Sequence, residues 1–254
     1  MSSQHRFGLA RVLSKLGYCS RSQAALLIRS RKVSLNGRIV ADPEAPARMD
    51  RDRVAVDGIV IAERPKIYLA MNKPRGVVTT ASDEQGRRTV YSFLSQDHAW
   101  VGPVGRLDKA SEGLLLLTND SEWAARITDP GTHLDKTYHV QIDRVADPQL
   151  LDALRRGVTD AGDLLQVRSV RVLRAGHKNS WLEISLDEGK NRHIRRLLDA
   201  LDVGVLRLLR VSIGPLQLGD LKKGSARPLG RSEKQSLDDA LSTSRPKKTA
   251  GACR

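Results

Sequence analysis

The 254-residue chain is strongly basic, with 43 Lys and Arg against 29 Asp and Glu and a formal net charge of +14. Such an excess of positive charge favours a polyanionic partner such as nucleic acid. Aromatic residues make up only 4% of the chain, which argues against recognition based mainly on stacking platforms. The length allows one large domain, or a small domain followed by a medium one.

The sequence also excludes several classes of protein. No apolar run approaches the roughly 18 residues that span a bilayer, and residues 1–10 lack the apolar core of a secretory signal. The two cysteines, Cys19 and Cys253, provide neither a disulfide framework nor a CxxC metal or redox site. We therefore expect a cytoplasmic protein that has no membrane segment and binds no metal.

Two short helices are predicted near the N-terminus. The first has apolar residues along one face at Leu9, Val12, Leu13 and Leu16. Gly17 follows as a helix stop. Ser20 and Gln23 have the spacing of a capping box, which predicts the start of a second helix.

A β-hairpin is predicted directly after the second helix. Asn36-Gly37 separates short β-type runs at 33–35 and 38–40, and Asn-Gly between such runs is a strong hairpin signal. A further strand is expected between residues 50 and 58. Residues 1–62 are therefore assigned to a small helix-helix-hairpin domain, and residues 63–66, which include Pro65, to a linker.

The charge of this first domain is one-sided, because residues 1–41 contain eight Lys or Arg and no Asp or Glu. The segment RVLSKLGYCSRSQAALLIRSRKVSLNGRIV resembles the S4 RNA-binding domain in its helix pair, its Ser-Arg start to the second helix and its Asn-Gly hairpin. The resemblance implies that Arg21, Arg29, Arg31 and Lys32 face structured RNA.

Residues 67–231 predict a larger domain in which strands outnumber crossover helices. Strands are expected at 67–71, 114–117, 138–142 and 181–186, and helices at 121–127 and 192–201. This pattern predicts an α+β domain with a mixed, mainly antiparallel sheet and flanking helices. Residues 232–254 are rich in Ser, Thr, Lys and Arg and are expected to form a disordered basic tail.

One carboxylate in this domain is a candidate for chemistry. Asp108 precedes a buried strand and is flanked by Arg106 and Lys109, and nearby cations favour the ionised carboxylate. An ionised, partly desolvated aspartate suits a nucleophile or a general base. An aspartate that merely caps a turn would have the same local pattern.

Four segments in order resemble the motifs of the pseudouridine synthases that modify small-subunit and large-subunit ribosomal RNA. They are NKPRGVVTT (72–80), GRLDKASEGLLLLTND (105–120), KTYHV (136–140) and EGKNRHIRRLL (188–198). Glu112 replaces a small residue of the second motif. His193 stands where relatives have Gln and is interpreted as a packing or RNA-contact residue rather than a general base. In their residues, the motifs resemble more closely the branch of the family that acts on the large subunit.

The resemblance implies roles residue by residue. Asp108 matches the catalytic aspartate, Tyr138 the tyrosine that packs on the target base, and Arg195 the arginine that pairs with the aspartate. Arg106 matches the arginine associated with flipping the base out of its stack. Lys73, in the first motif, is expected to contact the RNA substrate.

The implied reaction converts a uridine to pseudouridine: the bond from ribose C1′ to N1 breaks, the uracil turns, and C1′ joins C5. The nucleotide must first leave its stack, and water must be excluded from the detached base. The reaction has no redox or activation step, so no cofactor is expected. Asp108 could attack C1′, add to C6 or remove a ribose proton, and the sequence leaves these three open.

Two other functions remain open at this stage. A nucleoside or glycoside hydrolase would use a second carboxylate near Asp108, and Glu112 is the candidate in sequence. A non-catalytic RNA-binding or ribosome-assembly protein would share the basic N-terminal domain but would not need Asp108, Tyr138 and Arg195 together. The expected partner of an RNA-binding protein or RNA-modifying enzyme of this kind is ribosomal RNA or a pre-ribosomal particle, bound by a monomer.

Overall fold

The computed structural model describes residues 6–243 except 82, 84 and 96–99, and it contains two compact units. The first unit takes in the chain up to Tyr68 and the segments Ser95–Pro103 and Leu117–Ala124, and the second holds Leu69–Leu94, Val104–Leu116 and the chain from Ala125 onward. The domain boundaries drawn at residues 62, 67 and 231 stay predictions.

The first unit follows the predicted order of helix, helix and hairpin. Its elements are β1 (Phe7–Gly8), α1 (Leu9–Lys15), α2 (Arg21–Arg29), β2 (Val33–Leu35), β3 (Arg38–Ile39), β4 (Pro46–Ala47), β5 (Val54–Val56) and β6 (Ile59–Val60). A four-stranded sheet has the order β3-β2-β5-β6, and β1 pairs with β4. The apolar faces of both helices pack on this small sheet in one core.

Local chemistry explains these boundaries. The Ser20 hydroxyl accepts from the Gln23 amide and the Gln23 side chain accepts from the Ser20 amide, which completes the predicted capping box. Gly17 ends α1 at a φ of +74°. Asn36 and Gly37 both have positive φ, as a two-residue type I′ hairpin turn requires.

The remaining elements, most of them in the second unit, form one large sheet, a separate two-stranded sheet and flanking helices. The strands are β7 (Tyr68–Lys73), β8 (Gly102–Val104), β9 (Glu112–Thr118), β10 (Lys136–Ile142), β11 (Val158–Asp160), β12 (Asp163–Leu165), β13 (Ser169–Ala175), β14 (Ser180–Leu186), β15 (Val205–Ile213), β16 (Leu216–Gln217) and β17 (Ala226–Pro228). The helices are α3 (Ser121–Thr128), α4 (Pro148–Arg156), α5 (His193–Asp199) and α6 (Arg231–Thr243).

The sheet has the strand order β13-β14-β10-β15-β9-β7-β17 in the described residues, with β16 on β15 and β8 on β9. The pairings of β10, β13, β14 and β16 are antiparallel, whereas β15 and β9 run parallel. The predicted α+β class and mixed, mainly antiparallel sheet are confirmed. Helices α4 and α5 cover one face of the β13-β14-β10-β15 half and close its apolar core.

A glycine sets the parallel pairing that leads to the site. Gly113 has a φ of +105°, and a Cβ there would collide with the backbone of Arg210 on β15. Only glycine therefore lets β9 approach β15 this closely. The loop between β8 and β9, which carries Asp108, is anchored at its far end by this contact.

The C-terminal segment differs from the predicted disorder. Residues 231–243 form α6, whose Leu237 and Leu241 are buried. Arg227 and Glu233 form a two-pronged ion pair at 2.7 Å beside its first turn. These tertiary contacts stabilise a helix whose composition alone is that of a polar linker, and residues 244–254 of the predicted tail lie outside the described residues. No helix in the described ranges is long and apolar enough to cross a membrane.

Candidate active site

Asp108 lies on the loop between β8 and β9, at the wall of a cavity of about 280 Å³ in the second unit. Its side chain is 39% exposed, so the carboxylate is accessible from the cavity. Arg106 lies on the same loop and also lines the cavity. The other walls come from the start of β10, the segment 188–194 before and within α5, and the middle of β15.

The backbone around Asp108 is held at five consecutive carbonyl groups. The Thr79 hydroxyl donates to the Leu107 carbonyl at 2.8 Å, and the Gly76 amide donates to the Lys109 carbonyl at 2.7 Å. The remaining three carbonyls accept from Lys73, the Ser111 amide and Arg195, as described below. Because each carbonyl has its donor, the loop presents the Asp108 carboxylate from a fixed backbone.

Lys73 makes the largest contribution to this loop. Its ammonium is fully buried and donates to the carbonyls of Pro74 (3.1 Å), Asp108 (3.1 Å) and Ser111 (2.8 Å). Burial lowers the pKa of Lys73 to about 8, against the opposing effect of the Asp108 and Glu112 carboxylates. The predicted RNA contact of Lys73 is not what the structure shows, because a fully buried side chain cannot reach a substrate.

The ion pair of Asp108 also differs from expectation. Arg192 lies 3.9 Å from the Asp108 carboxylate, whereas Arg195, predicted to be the partner, donates to the Ala110 carbonyl at 3.1 Å. Burial and the neighbouring Arg192 lower the pKa of Arg195, and the Asp108 carboxylate opposes them. Arg195 therefore holds the loop that carries Asp108 and acts on the carboxylate at longer range.

Tyr138 lies where the sequence predicts, on the wall of the cavity. It follows a register irregularity of β10 and lies opposite Arg210 on β15 and Ile184 on β14. Its ring is half-buried and packs against the core under the sheet. Asp108, Arg106 and Tyr138 thus line one cavity, as the motifs predict, although they are up to 32 residues apart in sequence.

Several cavity residues were missed by the sequence analysis. Arg210 is 6% exposed and donates to the Leu114 carbonyl at 2.7 Å. Lys136 has its pKa lowered by burial and by Arg210. Glu188 and Lys190 form an ion pair at 3.2 Å on the opposite wall. Lys136, Glu188 and Lys190 lie inside the four motifs, which could have drawn attention to them. Arg210 lies in an ordinary strand, and no sequence signal marks it.

His193 agrees with its predicted packing role. The side chain is 3% exposed, and burial lowers its pKa below the ordinary value of 6.5. The ring is therefore neutral at pH 7. It lies at the start of α5, where it lines the base of the cavity.

Glu112, the second carboxylate of the hydrolase alternative, does not line the cavity. It is 2% exposed and binds Arg207 at 2.8 Å and Lys223 at 2.5 Å. Although burial raises the pKa of Glu112, hydrogen bonds from Lys223 and Arg207 hold it below the ordinary value. Its charge is neutralised within an ion-pair network in the fold.

In the first unit, the four predicted RNA-binding residues are exposed: Arg21, Arg29, Arg31 and Lys32. None of them pairs with an Asp or Glu within 4 Å among the residues that the structure describes. Arg29, Arg31 and Lys32 follow each other at the end of α2, where Arg31 takes a left-handed backbone with a φ of 59°. Unpaired cations grouped on an exposed turn fit a polyanionic partner.

Comparison with known proteins agrees with both parts of the chain. Residues 67–200 match the family model of RNA pseudouridylate synthases, and residues 7–54 match the S4 domain. The ribosomal large subunit pseudouridine synthase B of Bacillus subtilis is 33% identical over 87% of this chain and 91% of that protein. An uncharacterized RNA pseudouridine synthase of Rickettsia bellii is 37% identical over 86% of this chain and 95% of that protein.

A solved structure gives the same answer. The crystal structure of a pseudouridylate synthase is 29% identical, covers 91% of this chain and 99% of its own, and superposes with a TM-score of 0.64. The resemblance drawn from the four motifs is therefore confirmed. The chain belongs to the RNA pseudouridylate synthase family and carries an S4 domain at its N-terminal end.

Proposed function

We propose that this enzyme isomerises a uridine of large-subunit ribosomal RNA to pseudouridine, with Asp108 as the reacting carboxylate. The observation that carries the proposal is the accessible Asp108 on a loop whose carbonyls from 107 to 111 are all bound. The choice of substrate is supported by the activity for which the Bacillus subtilis relative is named and by the S4 domain.

The cavity suits the proposed steps. A uridine flipped out of its stack would enter between Tyr138 and Asp108, with Arg106 at the mouth to occupy the vacated space or hold a phosphate. Cleavage of the C1′–N1 bond leaves negative charge on the uracil, and the cations Arg192 and Lys136 around the cavity stabilise such charge. After C1′ has joined C5, the C5 hydrogen leaves as a proton to solvent and N1 takes up a proton in its place.

Asp108→Asn tests the catalytic role. Asn keeps the shape of the side chain and removes its charge, so release of tritium from [5-³H]uridine-labelled rRNA should stop while RNA binding stays within a few-fold. Asp152→Asn, at an exposed position of α4, is the matched control and should turn over like the wild type. Substantial turnover by Asp108→Asn would show that another group reacts.

Mapping pseudouridines in rRNA from cells with and without the gene identifies the target. Loss of one pseudouridine in large-subunit rRNA is the expected result. Loss from small-subunit rRNA would correct the substrate, and an unchanged pattern would favour the non-catalytic assembly role. We propose that the enzyme acts as a monomer on free rRNA or a pre-ribosomal particle, with an RNA-binding domain at 1–62 and a catalytic domain at 67–231.

A further inference from the structure

A second cleft lies beside α5 in the second unit, with a volume of about 210 Å³. It is lined by Arg192, Arg195, Arg196, Asp199 and the segment 203–205 that leads into β15. Three guanidinium groups therefore face one carboxylate. Arg192 lines both this cleft and the cavity of Asp108.

Arg196 does not contribute free charge to this cleft. Its guanidinium donates to Asp160 at 2.6 Å and to Asp163 at 3.0 Å, and a third bond goes to the Asp160 carbonyl. These bonds tie α5 to the hairpin of β11 and β12. The charge of Arg196 is thus neutralised by Asp160 and Asp163, and the remaining positive charge of the cleft comes from Arg192 and Arg195.

Arg192 and Arg195 are poorly compensated. The ion pair of Arg192 with Asp108 is long, at 3.9 Å. Arg195 spends one bond on a backbone carbonyl, and its Nε is buried without a hydrogen-bond partner in the described part of the chain. The exposed Arg75 adds a third positive charge close enough to act on Arg195. Three cations beside two carboxylates, Asp199 in the cleft and Asp108 at 3.9 Å from Arg192, leave net positive charge that favours an anion.

The backbone of Arg192 supports a functional role. It has a φ of 49° and ψ of 32° at the start of α5, a left-handed conformation that a long side chain rarely adopts. Strain of this kind collects at sites where a side chain must be placed in one direction. Here it places the Arg192 guanidinium on the boundary between the Asp108 cavity and the second cleft.

We infer that this cleft binds a backbone phosphate of the RNA next to the flipped uridine, through Arg192 and Arg195. The inference rests on the proposed function for the identity of the polyanion. Arginine suits the task because its planar fork matches two phosphate oxygens. A flipped nucleotide needs its neighbouring phosphates fixed, and a cleft that shares a residue with the catalytic cavity can fix one beside it.

The test is a salt titration of binding to an unmodified transcript of large-subunit rRNA. The slope of log K against log salt is negative, and its magnitude decreases by about 0.7 to 0.9 for each phosphate that the protein no longer neutralises. Arg192→Gln should lower the slope by that amount and weaken binding roughly fivefold at 0.1 M salt. Arg192→Lys should keep the slope, and Arg144→Gln, at an exposed site of the same unit, is the matched control.

The same substitution in an Asp108→Asn background distinguishes phosphate binding by Arg192 from an effect that Arg192 exerts only through its ion pair with Asp108. A lower slope in both backgrounds supports the phosphate site. A slope that falls only when Asp108 is present, or does not fall at all, overturns it. If Arg192→Gln does not fold, Arg192→Gly removes the charge at a backbone conformation that glycine adopts without strain, and the same criteria apply.

Binding in the Asp108→Asn background is measured without turnover, so the two proposals fail independently. Pseudouridine formation with an unchanged Arg192→Gln slope would leave the proposed function standing and remove the phosphate site. A lowered slope with no pseudouridine formed in any rRNA would do the reverse.

Discussion

The basic surface of the first unit and the cations around Asp108 use positive charge in opposite ways. Arg21, Arg29, Arg31 and Lys32 are exposed, and none has an acidic partner within 4 Å among the described residues. Around the loop that carries Asp108, in contrast, Lys73 and Arg210 are buried and bind backbone carbonyls.

This difference shows that the net charge of a chain predicts the kind of partner but not the role of each positively charged side chain. An exposed cation without a partner keeps its hydration and is free to release counter-ions from RNA. A buried cation has lost its hydration and must be satisfied by the protein, so it stabilises the fold instead. Its motif predicts that Lys73 is a cation that contacts RNA, but Lys73 is one of the buried cations that stabilise the fold.

Lys73→Met should produce the largest loss of stability. The Asp108 carbonyl keeps the Ser111 amide, but the carbonyls of Pro74 and Ser111 lose the Lys73 ammonium, and an unsatisfied buried acceptor costs about 1 to 3 kcal/mol. We expect the free energy of unfolding to fall by about 2 to 4 kcal/mol and turnover to fall with it, since the Asp108 loop loses its main anchor. Denaturant unfolding at pH 7 measures the first, and Lys178→Met, at an exposed site, is the control.

The same variant gives a pH test. Lys73 has a pKa of about 8 in the folded protein and 10.5 when unperturbed, so between these values the unfolded chain holds more protons. Stability from this group therefore increases with pH from about 8 to 10.5, on the order of 3 kcal/mol, and is lost as pH falls back through 8. Lys73→Met should lack this increase; an equal pH dependence in both proteins would contradict the buried charge.

Glu112→Gln should have a smaller effect on stability and little on chemistry. The carboxylate binds Arg207 and Lys223, whose side chains are 43% and 53% exposed, so both cations can rehydrate when it is lost. We expect a loss of about 2 kcal/mol, below the range for a fully buried pair. Because the pKa of Glu112 is lowered, its contribution is present above about pH 4.5 and disappears as pH falls below that value.

The Glu112→Gln variant also separates the enzyme from a hydrolase. The folded fraction should still form pseudouridine at the wild-type rate, and no free uracil should appear with either protein. Release of free uracil that depends on Glu112 would revive the hydrolase alternative. Chromatography of the reaction products distinguishes uracil from pseudouridine in RNA.

The local parts of this fold could be predicted well because local chemistry determines them. The Ser20–Gln23 capping box and the Asn36-Gly37 turn depend on neighbouring residues only, and both have the expected geometry. The four motifs likewise placed Asp108 and Tyr138 in one cavity. Helix α4 was not predicted, although Asp147 caps it and Pro148 starts it, because the same pair of residue types also begins turns.

The remaining features depend on contacts that no spacing encodes. Arg192 and Arg195 are three residues apart in one motif, and the structure places Arg192, which has a left-handed backbone, within ion-pair distance of Asp108. Helix α6 forms because Leu237 and Leu241 find an apolar surface. Burial, which also decided the role of Lys73, is a property of the whole fold.

Arg29→Ala combined with Arg31→Ala should give the smallest effect, confined to RNA binding. Each arginine that contacts a phosphate adds about 0.7 to 0.9 to the slope of log K against log salt, so the pair should lower it by roughly one to two. Arg168→Ala with Arg171→Ala removes the same charge from exposed arginines that pair with Asp135 and Glu183. This control should keep nearly the wild-type slope, because those arginines are already neutralised. The slopes are measured by filter binding from about 0.05 to 0.3 M salt, roughly the range in which such slopes are measured. Equal slopes for the two double variants would contradict the distinction between free and paired cations.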